Sequence, residues 1–408
     1  MKMNKWTLGL AAVGLVSLAP GLRAADAAAA PVPLMTALSA TTISGYVDTS
    51  AVWNPGTGNN NPAPYAFNTT AKHDGFNVDM VDIKITKPLD EGQWSAGYTA
   101  ELNVGPDAAA VEGVFAPIRQ AYVELRVPIP DSNGLDFKVG QWDNIIGFEG
   151  TDSYANLNWT RSYGYSIEPT EHVGVLAEYV FSPSVDLKLG VANDLSTVFR
   201  NASGGSILGS GNPKTIESKK AIVSLLSLTA PDSWGSLKGS ALYAGLDYGP
   251  GNSCENINGT GVPGHVVDKT HLYAGAVVTT PVTGLKFGAA WDTVNNMDGF
   301  LLEGYASSMA AYVSYHPTGS KLTINGRAEY AHGSYFDNLV FVGKAQEAKI
   351  MALTGTVQYD LWANVISRLE VRWDTSADGS PHFGDNTALG IPTKNNELMV
   401  AANVIYKF

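Results

Sequence analysis

The chain has 408 residues, a formal net charge of −12 and a mean hydropathy of −0.02. Charged residues make up 16%, against roughly 25% in ordinary soluble domains, and the acidic balance excludes the basic face that a nucleic-acid partner requires. A single cysteine, Cys254, excludes an internal disulfide and a multi-cysteine metal site. Beyond the N-terminus no apolar run reaches the ~18 residues of a transmembrane helix.

In chain order, the first segment reads MKMNKWTLGLAAVGLVSLAPGLRAADA. Lys2 and Lys5 give a charged start, Trp6 to Ala19 an apolar stretch, and small residues follow. This is the pattern of a secretory signal peptide over residues 1–24, with cleavage after Ala24. The apolar run is too short for a membrane anchor. No cysteine follows it, which excludes a lipid-modified terminus. Residues 25–40 are rich in Ala and Pro and read as a flexible lead-in. Residues 41–408 read as one domain.

From TTISGYVDTSAVW onward the chain alternates with period two, the spacing of β-strands. MVDIKIT and WSAGYTAEL are followed by RQAYVELRV, which sets Ala121, Val123, Leu125 and Val127 opposite Gln120, Tyr122, Glu124 and Arg126. GLDFKVG and VDLKLGV continue the scheme. KLTINGRAEYA sets Leu322, Ile324, Gly326, Ala328 and Tyr330 opposite Thr323, Asn325, Arg327 and Glu329. SRLEVRWD sets Leu369, Val371 and Trp373 opposite Arg368, Glu370, Arg372 and Asp374. The chain closes on NELMVAANVIYKF, whose alternate residues from Leu398 to Phe408 are all apolar.

These stripes permit a soluble sandwich, with the polar faces outward, or a membrane barrel, with the polar faces lining water. The connections favour the barrel. Short ones such as PLDEGQ, PIPDSNG, SPS, TPVTG and HPTGS alternate with long ones such as NPGTGNNNPAPYAFNTTAKHDG and TSADGSPHFGDNTALGIPTKNN. The expected fold is an all-β transmembrane antiparallel barrel of about sixteen strands, with short periplasmic turns and long extracellular loops. Both termini then lie at the periplasmic end.

The third long connection, Asp143 to Glu171, is unusual because it is aromatic and apolar: Ile145, Ile146, Phe148, Tyr154, Trp159, Tyr163 and Tyr165. Structureless loops of such length are uncommon and often functional. One reading folds it into the barrel as a constriction that presents Glu149, Asp152, Arg161 and Glu168 to the pore. The other makes it a flap on the rim or a subunit contact. Glu124, Arg126, Arg327, Glu329, Arg368, Glu370, Arg372 and Asp374 are expected to line the pore. They either split by sign to create a transverse field or pair as a ladder that stiffens the wall. The slight excess of acids among the inward residues predicts a weak cation preference. Tyr406 and Phe408 are expected to carry the signal read by the outer-membrane assembly machinery.

Catalytic and metal signatures are missing from the sequence. The histidines, at positions 73, 172, 265, 271, 316, 332 and 382, make no HExxH pair. No GxSxG elbow or P-loop occurs, and SGGSILGSG lacks the lysine and the strand–helix context of a phosphate cradle. No catalytic residue, cofactor or metal ligand is assigned.

Three stretches carry a family resemblance: RQAYVELRVPIP, GLDFKVGQWDNIIGFEG and NWTRSYGYSIEPTEHVGVLAEYVF. They are followed by NGRAEYA, LEVRWDTS and the terminal aromatic. With them the sequence resembles the β-barrel porin-2 family of OmpL-like outer-membrane porins over most of the chain after the signal peptide. The resemblance implies an outer-membrane barrel and a passive pore, and brings no catalytic residues. The expected function is therefore passive diffusion of small hydrophilic solutes or ions across the outer membrane of a diderm bacterium, after export through the periplasm. The alternatives are a surface structural or adhesion barrel without an open pore, and an outer-membrane hydrolase. Expected partners are outer-membrane lipid, the assembly machinery and small hydrophilic solutes, with a homo-oligomer, in particular a trimer, as a further possibility.

Overall fold

The computed structural model describes residues 40–408 apart from 57, 109–116, 131–133, 196–218, 252–266, 299–302, 337–346 and 385–391. The expected signal peptide, the lead-in up to residue 39, Cys254 and the Gly-rich segment 203–211 lie outside the described residues.

The period-two stripes all become strands. In order these are β1 (Thr42–Trp53), β2 (Gly75–Lys87), β3 (Ser95–Val104), β4 (Ile118–Val127), β5 (Leu135–Asp143), β6 (Glu171–Ser182), β7 (Val185–Ala192) and β8 (Ala221–Thr229). They continue with β9 (Ala241–Gly251), β10 (Val267–Thr279), β11 (Leu285–Asp298), β12 (Glu303–Tyr315), β13 (Leu322–Gly333), β14 (Ala348–Trp362), β15 (Val365–Ser376) and β16 (Asn396–Lys407). Each strand pairs antiparallel with its neighbour in sequence, and β1 pairs with β16 to close a sixteen-strand barrel. Closure satisfies every strand edge internally, which is the condition for crossing a bilayer with β-structure.

One rim carries the tighter connections, such as residues 183–184 and 363–364. The other carries the long ones, such as 54–74, 144–170 and 377–395. Below these are the turn rim and the loop rim.

The outer face is apolar and exposed: Ile83, Leu125, Val175, Leu189, Leu226, Leu353, Leu369 and Val371 all point away from the lumen into open surroundings. Trp53, Phe76, Tyr248 and Tyr305 stand near the loop-rim ends of their strands. Trp94, Phe181, Trp234, Tyr315, Trp362 and Tyr406 stand near the turn-rim ends. Two aromatic bands on an apolar wall match the two interfaces of a membrane.

The closing strand behaves as its stripe predicts, with Ala402, Val404 and Tyr406 exposed on the outer face and Glu397, Met399, Ala401, Asn403 and Ile405 buried inside. The inner face differs from expectation in one respect, because part of it is apolar. Val223, Leu225, Tyr273, Val277, Ala290, Ala310 and Tyr312 point inward and are buried in one cluster with Ile145, Ile146, Phe148 and Leu157. The core of this molecule lies within the barrel, and the third long loop supplies its other half.

Candidate pore constriction

Residues 144–170 leave the barrel wall after β5 and rejoin it at β6. In a ring of sixteen strands the position opposite β5 is β13. The loop crosses to it. Phe148 stacks on Tyr312 of β12 with ring centroids 3.9 Å apart and planes 11° from parallel. Asn158 Nδ2 donates to Thr356 Oγ1 of β14 at 2.7 Å, and Asn325 Nδ2 of β13 donates to Leu157 O at 2.7 Å. The Trp159 and Thr160 amides donate to the two carboxylate oxygens of Glu370 on β15, at 2.6 and 2.9 Å.

Arginines on the wall hold the loop by its carbonyls. Arg327 on β13 donates to Thr160 O at 2.7 Å and to Arg161 O at 3.1 Å, and pairs with Glu149 and Glu329, each at 2.7 Å. Arg372 on β15 donates to Arg161 O at 2.7 Å, pairs with Asp374 at 2.9 Å and lies 3.7 Å from the ring centre of Tyr65. Arg368 donates to Ser153 O at 2.9 Å and to Asn156 O at 3.0 Å. A guanidinium offers five donors in a rigid fork, so it can hold a carboxylate and a carbonyl together.

The loop also stitches itself. Arg161 donates to Gly150 O, Trp159 O and Thr151 O. A five-residue helix, α1 (Tyr163–Ile167), starts at Ser162, whose Oγ accepts from the Tyr165 amide at 3.1 Å. The Ser162 amide in turn donates to Glu149 at 2.6 Å. Helix α1 packs on β11, β12 and β13. Its Tyr163 amide donates to Glu329, and its Tyr163 hydroxyl donates to Asp374.

These contacts decide where the expected site residues stand. Glu149, Asp152, Arg161 and Glu168 come together within the inward loop, but each is almost fully covered, at 3%, 6%, 1% and 4% exposure. Their charges meet protein rather than open water. Asp152 takes Arg119 at 2.6 Å, and Glu149 takes Arg327. Glu168 instead lies against the Asp292 carboxyl of β11. Burial and that neighbour push the Glu168 carboxyl well above the usual carboxylate range.

The pore-lining expectation for Arg327, Glu329, Arg368, Glu370, Arg372 and Asp374 needs correction. They point inward as the stripes require, but the loop covers them and they act as its sockets. Glu124 and Arg126 differ, being half-buried on the turn-rim half of the lumen, where Arg126 forks onto Asp136 at 2.7 and 2.6 Å. Tyr406 and Phe408 end the closing strand, and the Phe408 amide and carbonyl both pair with Gly45 at 3.0 Å.

Several functional residues escaped the sequence reading. Arg119 is the clearest: strict alternation with Gln120 places it outside, yet it is 3% exposed and holds Glu101, Asp143 and Asp152. A register shift between β3 and β4 at Glu101/Leu102 turns it inward. Lys72 of the first loop, between Asp79 and Asp107 and 5.3 Å from the Trp159 ring centre, carried no periodic signal at all. Among the described residues no group of His, Cys, Asp and Glu converges as a metal site.

Solved structures of similar shape are outer-membrane proteins. The anion-selective porin from Comamonas acidovorans superposes with a TM-score of 0.54 at 14% identity, over 90% of this chain and 99% of that one. The outer membrane channel DcaP of Acinetobacter baumannii gives 0.57 at 11% identity, over 90% and 97%. In-vitro folded OmpT of Vibrio cholerae, in its trimer form, gives 0.55 at 12% identity, over 90% and 99%. At such identities the likeness establishes the closed barrel fold. No curated protein sequence matches the chain. The family model "Putative beta-barrel porin-2, OmpL-like" matches residues 40–408, so the chain belongs to that family of β-barrel porins.

Proposed function

We propose that this outer-membrane porin passes small hydrophilic solutes by diffusion and that the third loop sets its narrowest point. One observation carries the second half of the reading: residues 144–170 cross the lumen and are bonded to β13, β14 and β15 on the far side. The loop rim then faces the cell exterior and the turn rim the periplasm, with the N-terminal segment acting as the export signal. The protein works by passage, without a catalytic step. OmpT's trimer form supports a trimer as the working assembly.

A second reading draws on the near-complete burial of the loop, which fits a plugged barrel with a structural role at the surface. Conductance in planar bilayers separates the two. The porin reading expects discrete openings from the wild-type protein and larger ones after residues 150–160 are replaced by a short Gly-Ser link. Silence of the wild type, folded by its heat-modifiable gel mobility, would favour the plug. Equal conductance after shortening would place the narrowest point elsewhere.

A further inference from the structure

The two sides of the third loop are held by different chemistry. Towards β13–β15 the ties are guanidinium groups, which stay charged throughout the physiological range. Towards β9–β11 they are an apolar cluster that joins Ile145, Ile146 and Phe148 to Tyr273, Val277 and Ala290, and a group of carboxyls with imidazoles beside them. There the Glu168 carboxyl lies within hydrogen-bond reach of the Asp292 carboxyl on β11. Both side chains are buried, at 4% and 2% exposure. Two glycines make the room: a Cβ on Gly147 would strike the Glu168 carboxyl, and one on Gly164 would strike that of Asp292.

Among the described residues, no lysine or arginine is bonded to this pair. His271 on β10 stands with Nε2 at 3.4 Å from Asp292 Oδ1. Asp247 on β9 is fully buried and faces His172 of β6, Nε2 to Oδ2 at 3.9 Å. His172 also reaches Asn144 of the loop at 3.3 Å. Glu149 is the remaining nearby carboxylate, and Arg327 of β13 is already bonded to it. Two carboxyls in contact, without a lysine or arginine, are stable together only while they share a proton, because like charges at that distance cannot both ionise at low cost.

We propose that Glu168 and Asp292 form a proton-operated latch that releases the β9–β11 side of the third loop as pH rises, leaving the β13–β15 side anchored. The proposal rests on the reading of that loop as the constriction. Its sign follows from the pair. The shared proton is present at low pH and is lost as pH climbs through the raised Glu168 titration, after which two buried negative charges repel. The channel is therefore narrow in acid and wider in base.

The test is single-channel conductance from about pH 5 to about pH 10, on wild type, Glu168→Gln, Asp292→Asn and the loop-shortened channel. Wild-type conductance should rise severalfold towards the alkaline end. Glu168→Gln should stay at the acid value throughout, because an amide donates to Asp292 without titrating. Asp292→Asn serves the same purpose from the wall side, so failure of one variant to fold leaves the other to decide. A flat wild-type profile, or a folded variant that keeps the wild-type profile, overturns the latch. The shortened channel keeps the two readings apart. High conductance from it at every pH alongside an unaltered Glu168→Gln profile sinks the latch alone. If shortening changes nothing, the constriction itself is wrong.

Discussion

At the scale of single residues, Arg327 shows how charge works inside this barrel. Its side chain is wholly covered and serves Glu149, Glu329 and two loop carbonyls at once. Removing one partner of a buried ion pair leaves the others uncompensated, at roughly 3–5 kcal/mol. Arg327→Met should therefore lower the stability of the folded barrel by about that amount in urea unfolding, and it should also raise the noise of the open channel as the loop loses its anchor. A change below about 1 kcal/mol would mean that the pairs behave as exposed surface ion pairs and that water reaches them. The sequence showed that Arg327 faces inward, since Ile324, Gly326 and Ala328 occupy the other face. It could not show that Glu149, 178 residues earlier in the chain, is the partner. That pairing exists only once β5 and β13 stand opposite each other in a closed ring.

At the scale of elements, the strands were legible because period two leaves a mark on every residue. The loop was legible only as an anomaly, in its length and aromatic content, since nothing local encodes the wall that receives it. Arg119 escaped the reading because a register shift breaks the very period on which the reading relies. The barrel seam shows what the closing strand contributes. Phe408 accepts from the Gly45 amide and donates to the Gly45 carbonyl. Its ring covers Gly45 so closely that a Cβ there would collide with it and with the Asp82 carbonyl. Deleting Phe408 removes both bonds at the last pairing to form in chain order. The heat-modifiable, folded fraction in the outer membrane should fall sharply, whereas Lys407→Ala should leave it near the wild-type level. Normal assembly without Phe408 would show that the seam closes on the remaining β1–β16 pairs alone.

At the scale of the whole molecule, the structure changes the expected ion preference. The sequence predicts weak cation selectivity by counting every inward acid. Yet Glu101, Glu149, Asp152, Glu329, Glu370 and Asp374 are covered, and each is held by an arginine or by the loop's own amide and hydroxyl donors. Charges that do not meet water act on a passing ion only weakly, because their partners cancel them at short range. Among the described residues, the half-buried charges on the inner wall include Glu124, Asp136, Asp143, Glu178 and Asp360 as well as Lys84, Arg126, Lys138, Lys269, Lys286 and Lys407. Both signs are interleaved on β4 and β5, so their fields cancel within about one Debye length, ~10 Å at 0.1 M salt. The reversal potential under a potassium chloride gradient should accordingly lie close to zero, and it should move little when the bath is made more dilute. Shortening the third loop changes the balance of exposure, because Glu149, Glu329, Glu370 and Asp374 then face water together with Arg327, Arg368 and Arg372. The loop-shortened channel should conduct more, and its reversal potential should respond to bath dilution because these charges then meet water. A wild-type channel that is already strongly cation-selective would mean that those acids reach the solution in the intact protein, and the packed loop could not be its conducting state.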